Sequence, residues 1–175
     1  MLEDDRNSPL CIALDKVPET NLVPRKYLAS GSIGAQIAYG ADSSMMVAVR
    51  QPEYHSRPHS HDAEQLNYVL DGELYVFVGD SGFHARKGDV FRIPRGAIHW
   101  SWVKGEVPCV LLEMHTPPLI GDPGVIDTAV ALLAQGENGP RHTIESLWPD
   151  DIDQASVESR VTGAIAADQQ ATGKR

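Results

Sequence analysis

Between Leu10 and His115 the chain is broken into short apolar or β-branched runs, LCIAL, GAQIAYG, SSMMVAVR, LNYVL, ELYVFVG, DVFRIP, HWSWV and PCVLLEMH, separated by Gly, Pro, Asp and Ser. Runs of this kind read as strands, and many short strands with frequent turns bury their apolar faces in a sandwich or closed barrel. Asp71-Gly72, between LNYVL and ELYVFVG, is the strongest hairpin signal because both residues tolerate positive φ. After Pro117-Pro118 the character changes. Asp127 to Gln135 (DTAVALLAQ) predicts a helix with Asp127 as N-cap and Gly136 as C-cap, and a weaker helix is expected from about Asp153 to Ala167, where Gly163 costs propensity. The chain thus divides into an N-terminal arm and first strand over 1–30, a barrel over 31–118, and an extension with one or two helices over 119–175. The ends, about Met1–Asn7 and Gln169–Arg175, read as mobile.

The 175 residues are 42% hydrophobic and 22% charged, enough for one sizeable core. Fifteen Lys and Arg against 24 Asp and Glu leave a net charge of -9, which opposes a nucleic-acid backbone or an anionic membrane and favours a small-molecule partner. No stretch approaches the roughly 20 apolar residues of a bilayer span, and the acidic start MLEDDRNSPL is unlike a signal peptide, so the cytoplasm is expected. Cys11 and Cys109 lie too far apart to suggest a zinc finger or disulfide framework.

The stretch RPHSHDAEQLNYVLDGE sets His59 and His61 two residues apart. In a strand such positions share a face at a separation of about 6.7 Å, so two neutral imidazoles there can converge on one ion. A third histidine, His99, follows Pro94-Arg95-Gly96-Ala97-Ile98, where Pro and Gly fix a turn that delivers it onto a strand. His55, His84 and His142 read as surface or loop residues.

His59-Ser60-His61, three residues, Gln65, six residues, Gly72 resembles the first motif of the cupin superfamily, and Gly88, five residues, Pro94-Arg95-Gly96, two residues, His99 resembles its second. The resemblance implies an all-β jelly-roll barrel, a double-stranded β-helix, holding one divalent metal ion per subunit (Zn, Ni, Fe or Mn) on His59, His61, Gln65 and His99. Three positions depart from the pattern: Glu53 stands where the first motif begins with Gly, Val103 where the second often ends with Asn, and Gln65 where Glu is commoner. A neutral glutamine donor leaves the ion's full charge in place, which strengthens it as a Lewis acid. Glu64 competes for the ligand role; the family's register favours Gln65, leaving Glu64 as a solvated carboxylate or a partner to a ligand.

Period two puts Leu111, Glu113 and His115 on one face of the last barrel strand, so Glu113 and His115 are the candidate acid/base pair. The stretch Leu112-Glu113-Met114-His115-Thr116-Pro117 is similar to the Leu-Asp-x-Phe-x-Pro pattern of cupins that open unsaturated uronate rings, with Glu113 at their aspartate. His115 replaces their phenylalanine, and Leu119 their carboxylate-holding arginine, which argues against uronate itself. Polyketide-cyclase cupins also resemble this chain in using a histidine and glutamine metal set. The expected function is therefore metal-dependent, non-redox acid/base chemistry, as an isomerase, cyclase or lyase, on a small oxygenated metabolite. The alternatives are a metal-dependent dioxygenase and a non-catalytic metabolite-binding cupin. Trp100 and Trp102 should face outward from His99, packed under the arm or the C-terminal helix or in a homodimer interface; small cupins are often dimers, which favours the second.

Overall fold

The computed structural model describes residues 9–21, 28–119, 128–139 and 146–173. Among them the strands are β1 (Glu19–Asn21), β2 (Leu28–Ser30), β3 (Ile33–Tyr39), β4 (Ser44–Arg50), β5 (His55–Ser56), β6 (Ser60–His61) and β7 (Glu64–Asp71). They continue with β8 (Glu73–Val78), β9 (Ser81–Arg86), β10 (Val90–Ile93), β11 (His99–Trp102), β12 (Cys109–Thr116), β13 (Ala129–Ala131) and β14 (Ser146–Leu147). One helix, α1 (Gln154–Thr172), follows.

A seven-stranded sheet runs in the order β1-β3-β4-β12-β7-β10 with β13 added to β3, and a five-stranded sheet runs β2-β5-β11-β8-β9. The pairs are antiparallel except for β13 on β3. The sheets share one core: Ile33, Ile37, Met46, Val69 and Leu111 from the first meet Leu28, Leu74, Val76 and Ala85 from the second. Strict alternation builds that core. On β4, β7 and β12 every second side chain is buried, so Met46, Ala48 and Arg50, then Gln65, Asn67 and Val69, then Leu111, Glu113 and His115 all point inward.

The turn at Asp71-Gly72 forms, with Gly72 at φ 74° and space for a Cβ refused by the Pro108 carbonyl oxygen. It is not a hairpin, however. β7 belongs to the seven-stranded sheet and β8 to the five-stranded one, so the positive φ turns the chain from one sheet to the other. Glu53 takes φ 62° where the resembled motif has Gly, so the backbone keeps the left-handed turn with a residue that tolerates it less well.

The helix expected over Asp127 to Gln135 is not present in its described part. Asp127 lies outside the described residues, and Ala129–Ala131 form β13, paired in parallel with Ile37–Tyr39, while Leu132 N–H donates to Tyr39 O at 2.8 Å. β1 covers only Gly34–Gln36 on that edge, so the rest of β3 offers open backbone groups that outweigh the weak helix preference of a nine-residue segment. LCIAL likewise forms no strand; a short 3₁₀ turn spans Leu14–Lys16.

The C-terminal helix is longer than expected and continues through Gln169–Thr172, read above as mobile; Met1–Asn7 and Lys174–Arg175 lie outside the described residues. Asp153 caps it by accepting from Ser156 N–H at 3.1 Å. Val157 and Val161 bury themselves against Phe77 and Trp100, whose rings stack at 5.1 Å. Glu158 accepts from Trp100 Nε1 at 2.8 Å, and its Oε1 lies 2.6 Å from His55 Nε2. Trp100 is therefore covered by the chain's own helix, which corrects the expectation that it faces a second subunit. Trp102 is half-buried, stacked on His55 at 5.0 Å.

Candidate metal centre

His59 lies just before β6 and exchanges two backbone hydrogen bonds with His99, its N–H donating to His99 O at 3.0 Å and its carbonyl oxygen accepting from His99 N–H at 2.7 Å. This antiparallel bridge places the two rings 4.2 Å apart. His61 stands 4.8 Å from His99 and 6.1 Å from His59 between ring centroids. The turn that aims His99 closes from Ala97 N–H to Pro94 O at 3.1 Å, with Gly96 at φ 71° and its N–H on His61 O at 3.0 Å. Ligand-capable atoms of the three histidines all lie within 4.8 Å of one another.

Each imidazole is anchored through Nδ1 to a backbone carbonyl: His59 to Arg57 O at 2.9 Å, His61 to Ala63 O at 3.0 Å, His99 to Ala97 O at 2.9 Å. A carbonyl only accepts, so Nδ1 carries the proton and Nε2 keeps its lone pair. Burial pushes His59 down to about 4 and lowers His61 and His99 as well, the neighbouring imidazoles adding to the shift at His59 and His99. All three are neutral at pH 7, as metal ligation requires.

Gln65, opposite His115 on the β7–β12 ladder, donates Nε2–H to Asn67 Oδ1 at 2.8 Å and to Glu113 Oε2 at 2.9 Å. With both amide hydrogens engaged, its Oε1 faces His61 Nε2 at 3.3 Å. Two lone pairs then point at each other, a contact that a shared cation makes attractive. Ligands about 2.1 Å from one ion lie roughly 3–4 Å apart, so small side-chain adjustments bring this set within reach of a transition-metal dication, for which imidazole is a suitable donor. A glutamate at 65 would set a carboxylate against Glu113 and Asn67 Oδ1, which explains the departure from the commoner residue.

Glu113 is buried, its Oε1 accepting from Arg50 Nη1 at 2.5 Å. Burial disfavours the guanidinium's charge, but Glu113, with Tyr54 and Cys109 adding, outweighs it and raises the Arg50 pKa, so the guanidinium stays charged. His115 shares that inward face, edge-on to His61 at 5.5 Å, and burial pushes it down to about 3. These groups line one cavity of about 120 Å³ whose remaining wall is mostly apolar, including Leu74, Val76, Phe91 and Ile93, with Ser56, Ser101 and Ser146 among them. Trp148 closes over it, stacked on His59 at 4.7 Å, as β14 pairs Ser146 with His61.

The structure thus gathers His59, His61, Gln65, His99, Glu113 and His115 around one cavity. Glu64 stands outside, bonded to Arg92 Nε at 2.7 Å on the surface. His55 is no surface residue but part of the helix anchorage, and His84 is half-buried against Tyr75 at 4.5 Å. His142 lies outside the described residues. Sequence reasoning missed Arg50 and Asn67, although period two from Met46 and from Gln65 puts both inward; a polar residue on an inward parity was the available signal. Trp148 carried no such signal.

Residues 46–115 match the family model described as a cupin domain. No curated protein matches the chain. A cupin-like protein from Thermotoga maritima is similar in structure, 15% identical, covering 85% of this chain and 98% of its own, with a TM-score of 0.54. The polyketide cyclase RemF from Streptomyces resistomycificus is 19% identical over 60% of this chain and 77% of its own, TM-score 0.51. KdgF from Halomonas sp. is 20% identical over 60% and 92%, TM-score 0.51. At these identities the likeness is one of fold.

Proposed function

We propose, on the premise that this chain belongs to the cupin family, that it is a metal-dependent enzyme performing non-redox acid/base chemistry, as an isomerase, cyclase or lyase, on a small oxygenated metabolite. The contact that carries this reading is Gln65 Oε1 facing His61 Nε2 at 3.3 Å while both hydrogens of the same amide are bound elsewhere. His59, His61, Gln65 and His99 would hold one divalent ion. When bound, the ion supplies Lewis acidity toward a carbonyl or hydroxyl oxygen, undiminished by its neutral ligands.

The chain's own residues do the rest. Gln65 couples the ligand cluster to Glu113, so the carboxylate sits one hydrogen bond from the candidate ligand set. Arg50 holds Glu113 from the other side. Glu113 takes the substrate proton at its carboxylate, and His115 serves as a second carrier on the same face. Trp148 and the apolar part of the wall would limit the access of bulk water. RemF and KdgF share the barrel, and the choice of chemistry rests on this arrangement rather than on them.

Protein purified without added metal should contain one divalent ion per chain by elemental analysis. A screen of small hydroxy and oxo metabolites should find turnover under nitrogen, and Glu113→Gln should keep the metal while lowering turnover about 100- to 10,000-fold. Turnover in air alone would transfer the site to dioxygenase chemistry, and metal-free wild-type protein would overturn the reading.

A homodimer belongs to the same proposal, now through the outer face of the seven-stranded sheet. Met45, Leu66, Tyr68, Val90 and Met114 are exposed there, and the ladder pairs Met114 with both Met45 and Leu66, and Tyr68 with Val90. Arg92 at this rim is paired with Glu64, and Asp71 with Lys87, so a second copy of an acidic chain meets neutralised edges.

A further inference from the structure

Two buried donors in the cavity wall have no acceptor among the described residues: Arg50 Nε and Asn67 Nδ2. Arg50 is 6% exposed and Asn67 2%. Neither is relieved by turning. Asn67 Oδ1 accepts from Gln65 Nε2, so exchanging the amide ends would set donor against donor. Arg50 is fixed by Glu113 at Nη1, with its guanidinium 5.2 Å from the Tyr54 ring centre. Native interiors rarely leave such groups unmatched, because each carries its full desolvation cost.

The two donors flank one chain of contacts. Arg50 donates to Glu113, Glu113 accepts from Gln65, and Gln65 donates to Asn67. Glu113 cancels the charge of Arg50, so this pair is electrically neutral as a whole, and the donors left unmatched on this wall are both N–H groups. A dication on three imidazoles and an amide would add a positive charge that no side chain of the set balances. Both features ask for an oxygen anion.

We propose that Arg50 Nε and Asn67 Nδ2 form an oxyanion subsite, and that the cavity's ligand is a small carboxylate with a second oxygen function reaching the histidine cluster. One carboxylate oxygen accepts from each donor, and the hydroxyl, oxo or second carboxylate oxygen meets the ligand set. The donor argument stands on the chain's own atoms, whereas the charge argument rests on the metal reading above.

The test titrates purified, metal-analysed protein calorimetrically with malonate and with malonamide, its uncharged counterpart. Malonate should bind at least about 10-fold more tightly. Asn67→Asp keeps the acceptor for Gln65 but turns the donor into a second acceptor, and should weaken malonate binding about 10- to 100-fold without loss of metal. Arg50→Lys keeps a cation beside Glu113 but lacks the guanidinium fork, and should weaken it similarly. In ¹⁵N-labelled wild-type protein the Arg50 Nε–H resonance should move on malonate addition, a readout independent of whether either variant folds. Equal affinity for malonate and malonamide, an affinity unmoved in both variants, or a static Nε–H resonance would overturn the subsite. Metal-free protein that still binds malonate through both residues would support the subsite and overturn the metal reading instead.

Discussion

Along β4, β7 and β12 the two faces of one sheet depart in part from the usual arrangement of a soluble protein. Beside the core residues Met46, Ala48, Val69 and Leu111 the buried face carries Arg50, Gln65, Asn67, Glu113 and His115, while the outer face carries Met45, Leu66, Tyr68 and Met114, from 40% to 45% exposed. A core built for stability alone would take the opposite pattern, since buried polar groups cost free energy unless each is matched, and exposed apolar rows invite association. The five-stranded sheet does follow the ordinary rule: its outer aromatics, Phe77 and Trp100, lie under α1. The difference sets the seven-stranded sheet apart on both sides, with amide and titratable groups inward and bare apolar rows outward, and the proposed chemistry and the proposed dimer each rest on one of these faces.

The largest effect should come from breaking the inner face. Arg50→Met leaves Glu113 buried without its cation and should destabilise the fold by about 3–5 kcal/mol in denaturant unfolding. Arg50→Met combined with Glu113→Gln should recover most of that loss, because no charge is then stranded; failure to recover would show that the pair holds more than its own charges. Next comes the covered outer face. Trp100→Phe removes ring volume and the Nε1 bond to Glu158, and should cost about 1–3 kcal/mol with faster amide exchange in α1. Smallest in stability is the bare outer face. Leu66→Lys with Met114→Lys should change monomer stability by no more than about 0.5 kcal/mol each while converting a sedimenting dimer to monomer. A wild-type monomer at micromolar concentration would reduce the comparison to its inner side.

How much of this could be read from the sequence depended on how local each constraint is. His59, His61 and His99 come from short motifs whose turns, such as Pro94 to Ala97, define their own geometry, so their convergence was foreseeable. The parity of Leu111, Glu113 and His115 was equally local. Arg50 and Asn67 escaped because their importance lies in meeting Glu113 and Gln65 across strand pairs, which no spacing announces. Asp71-Gly72 specified a turn but not which sheets it joins, because positive φ is common to both outcomes. The strand at Ala129–Ala131 was decided by the vacant edge of β3, and the cover over Trp100 by a helix more than fifty positions later in sequence.

The pairing of β14 with β6 sets an order of events. His59, His61, Gln65 and His99 lie within 41 positions of sequence, counted inclusively from 59 to 99, whereas His55 meets Glu158 across a separation of 103. Long loops close at greater entropic cost and contribute to slow folding. During synthesis both histidine motifs leave the ribosome before Trp148 and Glu158 exist, so the nascent barrel can assemble its ligand cluster with the mouth still open. The proposed ion would then load most easily on the unfinished chain, and completion of the C-terminus would bring the indole of Trp148 over it.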